Sequence, residues 1–228
     1  MSERHFVSRA AAGAALAREL SRRSFSRPVT VLGLARGGIP VAYEVARELD
    51  APLDVMLVRK VGMPGQPELA IGAIASGNVV VREPHITRQM PSLFHMFSQL
   101  ATAERPELER RERVYRPGLG PLDLRGGTAI LVDDGIATGS TMLAAIRAAR
   151  RAGAGEVIAA APVASQEAID LIGAEADATV VLCVPALLSS IGEWYRDFDQ
   201  VQDEEVCSLL SLGRAGSRRP GAAVHSAP

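Results

Sequence analysis

Ile130-Leu131-Val132-Asp133-Asp134-Gly135-Ile136-Ala137-Thr138-Gly139-Ser140-Thr141-Met142 joins an apolar strand, two carboxylates, a small-residue loop and a helix start without a gap. Thr128 to Val132 read as a buried strand. Met142, Ile146 and Ala149 recur at helical spacing before Gly153 offers a stop, so the middle is a strand-to-helix turn. Backbone N–H groups from Ala137 to Thr141 then lack intrahelical acceptors, and with the helix dipole behind them they form a site for one phosphate. The hydroxyls of Thr138, Ser140 and Thr141 add donors, while Gly135 and Gly139 let the backbone close around a ligand. Asp133 and Asp134 fall one step earlier, at the carboxyl end of the strand, where carboxylates accept from sugar hydroxyls or help to hold a divalent cation. Phosphate on one side and a polyol on the other describe a ribose 5-phosphate.

Asp134-Gly135 is also a dipeptide that marks hairpins, but the helical pattern after it opposes that reading. No Gly-Lys-Ser/Thr ending is present, which removes a nucleotide P-loop. Earlier in the chain the same grammar recurs. Val29 to Leu34 is an apolar strand, Ala35-Arg36-Gly37-Gly38 a small-residue turn, and Ile39 to Leu49 a helix with Pro40 tolerated in its first turn. Adjacent glycines permit close approach to a ligand, and Arg36 adds a forked donor suited to phosphate oxygens, although such a turn on its own is more often a loop with a solvated charge. Asp54 to Lys60 read as a strand ending in two cations, Arg59 and Lys60. Val61 to Glu68 are rich in breakers and bend into a further strand, Leu69 to Ala75.

With these two loops in hand, Ala129 to Met142 resembles the ribose-phosphate-binding motif of type I phosphoribosyltransferases (PRTases), which transfer ribose 5-phosphate from phosphoribosyl pyrophosphate (PRPP) to a nitrogen nucleophile. The resemblance spans roughly Thr30 to Val206 and is weakest in the insert and hood. It implies that Asp133 and Asp134 contact the ribose hydroxyls and that Ala137, Thr138, Gly139, Ser140 and Thr141 wrap the 5-phosphate. Arg36-Gly37-Gly38 is similar to the family's pyrophosphate loop, and the run from Val41 to Leu49 is similar to bacterial xanthine-guanine members. By position, Arg59 and Lys60 then meet the pyrophosphate. Trp194-Tyr195-Arg196-Asp197 is similar to a hood segment of purine-transferring members, which makes Arg196 a pyrophosphate contact and Trp194 or Phe198 a stacking surface for the base. Asp133, Asp134, Arg36 and Lys60 are the expected catalytic set. The resemblance also implies Mg²⁺, bound mainly through PRPP with Asp133 and Asp134 as the protein's donors.

One departure stands out. Hypoxanthine, guanine and xanthine enzymes carry an aspartate three residues after the acidic pair, where this chain has Ala137. Adenine enzymes share an alanine there, so neither base class is assigned, and a carboxylate such as Glu68 or Glu193 is a candidate base.

The chain has 228 residues, 47% of them hydrophobic, and a formal net charge of −1. That length fits one domain with a sizeable core, and the charge argues against a nucleic-acid surface. Two cysteines, Cys183 and Cys207, without framework or ligand spacing suggest a reduced, cytoplasmic protein, and His5, His85, His95 and His225 show no ligand pattern. Glu3, Arg4 and Arg9 interrupt the N-terminal stretch, which does not read as a secretion signal, and no run approaches a membrane span.

Strands near Val29, Asp54, Leu69, Val79, Thr128, Val157 and Ala178 alternate with helices at Ile39, Ser140, Gln166 and after Asp203. That order predicts an α/β fold with a mainly parallel twisted sheet covered by helices on both faces, of the Rossmann-like type I PRTase kind, with a small hood and a helical insert. The expected organisation is a single domain over 1–212, with an insert or lid at 82–117, a hood at 184–206 and a disordered tail at 213–228. For most charges in the insert, an amphipathic helix with a solvated, ion-paired face is the expected role.

The expected function is a glycosyltransferase of the pentosyl class in nucleotide and nucleoside metabolism, using PRPP and Mg²⁺, releasing pyrophosphate and acting on small molecules as a homodimer. Two alternatives remain: a regulatory PRPP-binding protein without turnover, and a nucleotide oxidoreductase, which is disfavoured because no Gly-x-Gly-x-x-Gly follows the first strand.

Overall fold

The computed structural model describes residues 6–63, 66–77, 79–82 and 92–216, of which 66–70, 92–95 and 215–216 are described by their backbone alone. Among the described residues the central sheet has five parallel strands: β1 (Val29–Leu34), β2 (Leu53–Met56), β6 (Thr128–Val132), β7 (Glu156–Val163) and β8 (Ala178–Cys183). They lie in the order β2-β1-β6-β7-β8. A second sheet of three antiparallel strands holds β3 (Val58–Met63), β4 (Gln66–Ala75) and β5 (Val79–Arg82).

Both faces of the central sheet are apolar, as parallel strands require. On one face Val31, Ile130, Val132, Ile158 and Val180 pack with Leu16 and Leu20 of α1 (Arg9–Leu20) and with Ile39, Val41 and Val45 of α2 (Gly38–Glu48). The same cluster takes in Phe97, Leu108 and Tyr115 of α3 (Ser92–Tyr115). On the other face Leu32, Leu131, Val157 and Ala159 pack with Met142, Ala145 and Ile146 of α4 (Ser140–Arg151) and with Ala168 and Ile172 of α5 (Gln166–Gly173). The chain leaves β1 towards β2 on one side and β6 towards β7 on the other. The gap above β1 and β6 is therefore the switch point, where loops diverge and leave room for a ligand.

Two sequence expectations about strands change. Asp54 to Lys60 is not one strand. Leu57 breaks it, its N–H donating to Ser76 Oγ at 3.3 Å while its carbonyl accepts from Ser76 N at 2.9 Å. Arg59 and Lys60 thus belong to β3, in the small sheet, and do not end a central strand. The strands at Leu69 and Val79 likewise pair antiparallel, with Gly77 at φ 75° in the turn between them, because a connection of a few residues cannot make a parallel crossover.

The tail also departs from expectation. Helix α6 (Asp203–Gly216) runs past Gly213, where disorder was expected to begin. Arg214 donates to Asp54 Oδ1 at 2.9 Å and to the Tyr115 carbonyl at 3.1 Å, and Gly213 seats on Leu53. Residues 217–228 of the expected tail, and 83–91 of the expected insert, lie outside the described residues. Among the described residues no helix is long and apolar enough to cross a membrane.

Candidate functional site

The register of β1 with β6, Gly33 opposite Val132, brings the two anion loops side by side. Their approach is very close: a Cβ built on Gly37 would stand 2.1 Å from Asp134 Oδ2, and one on Gly38 would stand 2.5 Å from the Val132 carbonyl. Only glycine fits at either position without a shift of its neighbour. The Ala35–Arg36 peptide preceding them is cis. Arg36 reaches from this turn to Asp203 at the start of α6, Nη1 to Oδ1 3.5 Å, and the same oxygen accepts from the Tyr115 phenol at 2.5 Å.

Asp133 and Asp134 follow the last residue of β6. Asp134 N donates to Asp133 Oδ1 at 2.9 Å. Burial pushes the Asp133 carboxyl well above the usual carboxylate range, and the Asp134 charge adds to this. Burial raises Asp134 too, opposed by the Arg9 guanidinium, whose Nε donates to Asp134 Oδ2 at 2.7 Å. The next loop is tied to the end of β7. Ile136 N donates to the Val163 carbonyl, Ser165 N to the Ile136 carbonyl, and Ser165 Oγ to the Ala137 carbonyl at 2.6 Å. Gly139, at φ 78°, is the N-cap of α4 without a side-chain cap bond. The first-turn amides of α4 at Ser140 and Thr141 thus lie beside the exposed Ala137 and Thr138, a cradle of donors at the positive end of a twelve-residue helix.

The remaining candidates are more dispersed. Arg59 donates through Nε to Glu104 Oε2 of α3 at 2.6 Å, its Nη2 contacts the same oxygen, and Glu107 lies 3.8 Å from Nη1. The expectation of a solvated, ion-paired α3 face is met for the Glu107–Arg110 and Glu107–Arg111 pairs, while Glu104 instead reaches across to β3. Lys60 is exposed, as is Arg196, whose guanidinium lies 3.5 Å from Asp197. Trp194 is 8% exposed, in a cluster with Ala12, Val163 and Tyr195. Phe198 stacks on Tyr195 with centroids 4.9 Å apart and carries the Arg9 guanidinium 3.8 Å from its ring centre. Glu193 is exposed, and the side chain of Glu68 is outside the described set.

Sequence reasoning passed over Arg9, Ser165 and Tyr195. Arg9 entered it only as a charge interrupting the N-terminal stretch, and its partners lie 125 and 190 residues away. Nothing local signals such contacts. Ser165 was recoverable, because a serine just before a helical run is an N-cap, and Ala168 N does donate to its Oγ. Tyr195 Oη donates to the Asp134 carbonyl at 2.5 Å and so fastens the hood to the acidic pair. Burial pushes that phenol's pKa upward, so it stays a donor at neutral pH. Tyr195→Phe is expected to lower stability by about 0.5–1.5 kcal/mol, read from chemical denaturation.

A cavity of about 410 Å³ opens beside the loop 137–141, lined by Ala137, Ser165, Gln166 and Glu167 and by residues Val184 to Leu188. A larger one, about 530 Å³, lies between the second half of α3 and the loop 117–122, and none of the candidate residues lines it. Among the described residues, no three His, Cys, Asp or Glu side chains converge as a metal cage. The acidic pair does offer hard oxygen donors of the kind that complete the shell of a cation held mainly by its ligand.

Residues 7–185 match the family of the phosphoribosyl transferase domain. Proteins of Mycobacterium tuberculosis strains H37Rv and CDC 1551, each named as a phosphoribosyl transferase, are 41% identical over 217 residues, or 95% of this chain and 49% of theirs. The chain thus spans about half the length of the curated relatives it matches. The crystal structure of TT1426 from Thermus thermophilus is 42% identical and superposes with a TM-score of 0.77, covering 90% of this chain and 97% of that one. With the paired loops at the switch point of its parallel sheet, the chain belongs to the phosphoribosyltransferase domain family.

Proposed function

We propose that the protein uses PRPP to transfer ribose 5-phosphate to a nitrogenous base or related small acceptor, releasing pyrophosphate. The observation that carries this reading is the junction of two anion loops and two carboxylates: Gly37 against Asp134, Gly38 against the end of β6, and the α4 amides beyond.

In this reading the amides and hydroxyls from Ala137 to Thr141 hold the 5-phosphate, and Asp133 and Asp134 accept from the ribose diol. Arg36, the amides of Gly37 and Gly38, Arg59, Lys60 and Arg196 serve the pyrophosphate. The acceptor nitrogen bonds to the anomeric carbon as the bond to pyrophosphate breaks. The leaving group takes the electron pair, and the nitrogen's proton passes to a base or to water. Positive charge builds on the ribose ring and negative charge on pyrophosphate. Preorganised donors facing the latter are the main catalytic resource, each with about 3–4 kcal/mol at stake. Mg²⁺, held mainly by PRPP with Asp133 and Asp134 as protein donors, would offset charge on the leaving group. The hood, expected over 184–206 and ending within the first turn of α6, covers the acceptor and limits hydrolysis by water.

Arg59 is engaged by Glu104, so pyrophosphate must compete with a carboxylate for it. Glu104→Gln is expected to tighten pyrophosphate binding by about two- to fivefold, measured by calorimetry, as suits a partly exposed pair.

One observation favours a second reading, a PRPP-binding regulator. Ala137 places no ionisable group in the phosphate loop. The deciding experiment is pyrophosphate release with PRPP and Mg²⁺ across purine, pyrimidine and nicotinate-type bases. Release with at least one base supports the transferase, whereas tight PRPP binding with no release on any base supports the regulator.

A further inference from the structure

We propose that Arg9 is a positioning residue of the ribose site, holding the carboxylate of Asp134 and the hood backbone in one fixed arrangement before a ligand arrives. The inference rests on the reading of Asp134 as a contact to the ribose diol.

Arg9 uses its fork in two directions. Nε donates to Asp134 Oδ2 and Nη1 to the Asp199 carbonyl, each at 2.7 Å, while the guanidinium plane sits 3.8 Å from the centre of the Phe198 ring. The Arg9 and Asp134 side chains are only 13% and 14% exposed, so water screens their charge-assisted bond little. A lysine reproduces the charge but not the simultaneous reach to two acceptors and a ring.

The placement of Arg9 is itself fixed. Ser8 caps α1 by accepting from Ala11 N, which makes Arg9 the first helical residue. Ahead of it, Phe6 N donates to the Trp194 carbonyl, Arg196 N to the Phe6 carbonyl and Asp197 N to the Val7 carbonyl, so residues 6 and 7 are tied to the hood through an isolated parallel bridge between Phe6 and Tyr195. A cation in the first turn opposes the helix dipole, a cost that a residue serving α1 alone would not carry. What offsets it is Asp134. An aspartate left free must lose side-chain freedom when it meets a diol, and one already held does not.

A structural staple and a positioning residue differ in which ligand they affect. Inorganic phosphate needs only the α4 cradle, whereas D-ribose 5-phosphate needs the cradle and Asp134 together. Both are titrated by calorimetry into the full chain carrying wild-type sequence, Arg9→Ala and Arg9→Lys, with circular dichroism to check folding. The expected result is at least tenfold weaker ribose 5-phosphate binding for Arg9→Ala, inorganic phosphate unchanged within twofold, and partial recovery for Arg9→Lys. Unchanged ribose 5-phosphate binding in both variants overturns the inference, as does equal weakening of both ligands. If Arg9→Ala fails to fold, Arg9→Lys decides alone, a selective several-fold loss supporting the inference and no selective loss overturning it. A wild-type protein that binds phosphate but gains nothing from the sugar overturns the ribose reading itself, and the inference with it.

Discussion

Converting Asp133 and Asp134 together to asparagine is expected to weaken PRPP binding by about a hundredfold while leaving the fold intact. Each carboxylate is read as accepting from a sugar hydroxyl; an amide oxygen still accepts but without the charge, and the difference between charged and neutral partners, about 1–1.5 kcal/mol each, amounts to roughly 2–3 kcal/mol for two. Asparagine is nearly isosteric, and the Asp134 N to Asp133 Oδ1 bond survives on the amide oxygen. Calorimetry with PRPP and Mg²⁺ makes the measurement, and an affinity within threefold of wild type would refute the diol assignment.

The same variant has a signature in stability. Burial raises both carboxyls above their unfolded values, Asp133 the more, so between those values the native state holds protons that the unfolded chain releases. Wild-type stability therefore falls as pH rises from the ordinary carboxylate range, about 4, through the raised range. The double asparagine variant lacks that slope, so its melting temperature should vary less with pH than that of wild type. Melting curves across acid to neutral pH test both statements.

Gly37→Ala and Gly38→Ala are expected to fail in different ways. At Gly37 the new methyl meets the Asp134 carboxylate, with Oδ2 at 2.1 Å and Cγ at 2.7 Å. A side chain can rotate away, so the fold survives, but Asp134 leaves its place at the proposed ribose site and its bond to Arg9. PRPP affinity should fall about tenfold to a hundredfold with a small change in melting temperature. At Gly38 the methyl meets the Val132 carbonyl at 2.5 Å and Asp133 Cα at 2.9 Å, both backbone. Nothing there can rotate. The start of α2 must lift off β6, at a stability cost of about 1–3 kcal/mol. Chemical denaturation and PRPP titration of the two variants should separate these outcomes, and a Gly38→Ala protein as stable as wild type would contradict the packing described.

Much of the site could be read directly from the chain because its parts are contiguous. A strand, a turn and a helix start within Ile130 to Met142 define the anion cradle by local geometry, since first-turn amides lack acceptors whatever the rest of the protein does. The same holds for Arg36-Gly37-Gly38. Alternation of apolar strands and amphipathic helices likewise sufficed for a parallel sheet covered on both faces.

What only the tertiary structure decided depends on contacts between residues far apart in the chain. Leu57 ends β2 because Ser76 binds its backbone, which moved Arg59 and Lys60 into a second sheet and set Arg59 against Glu104. Gly213 and Arg214 are helical because Leu53, Asp54 and Tyr115 receive them, although their own composition suggests disorder. Arg9 meets Asp134 across 125 residues. Local order follows from backbone hydrogen bonding and side-chain period, which act over a few residues and are written in the sequence. Long-range pairing depends on which surfaces the fold brings together, and no spacing within a segment encodes it.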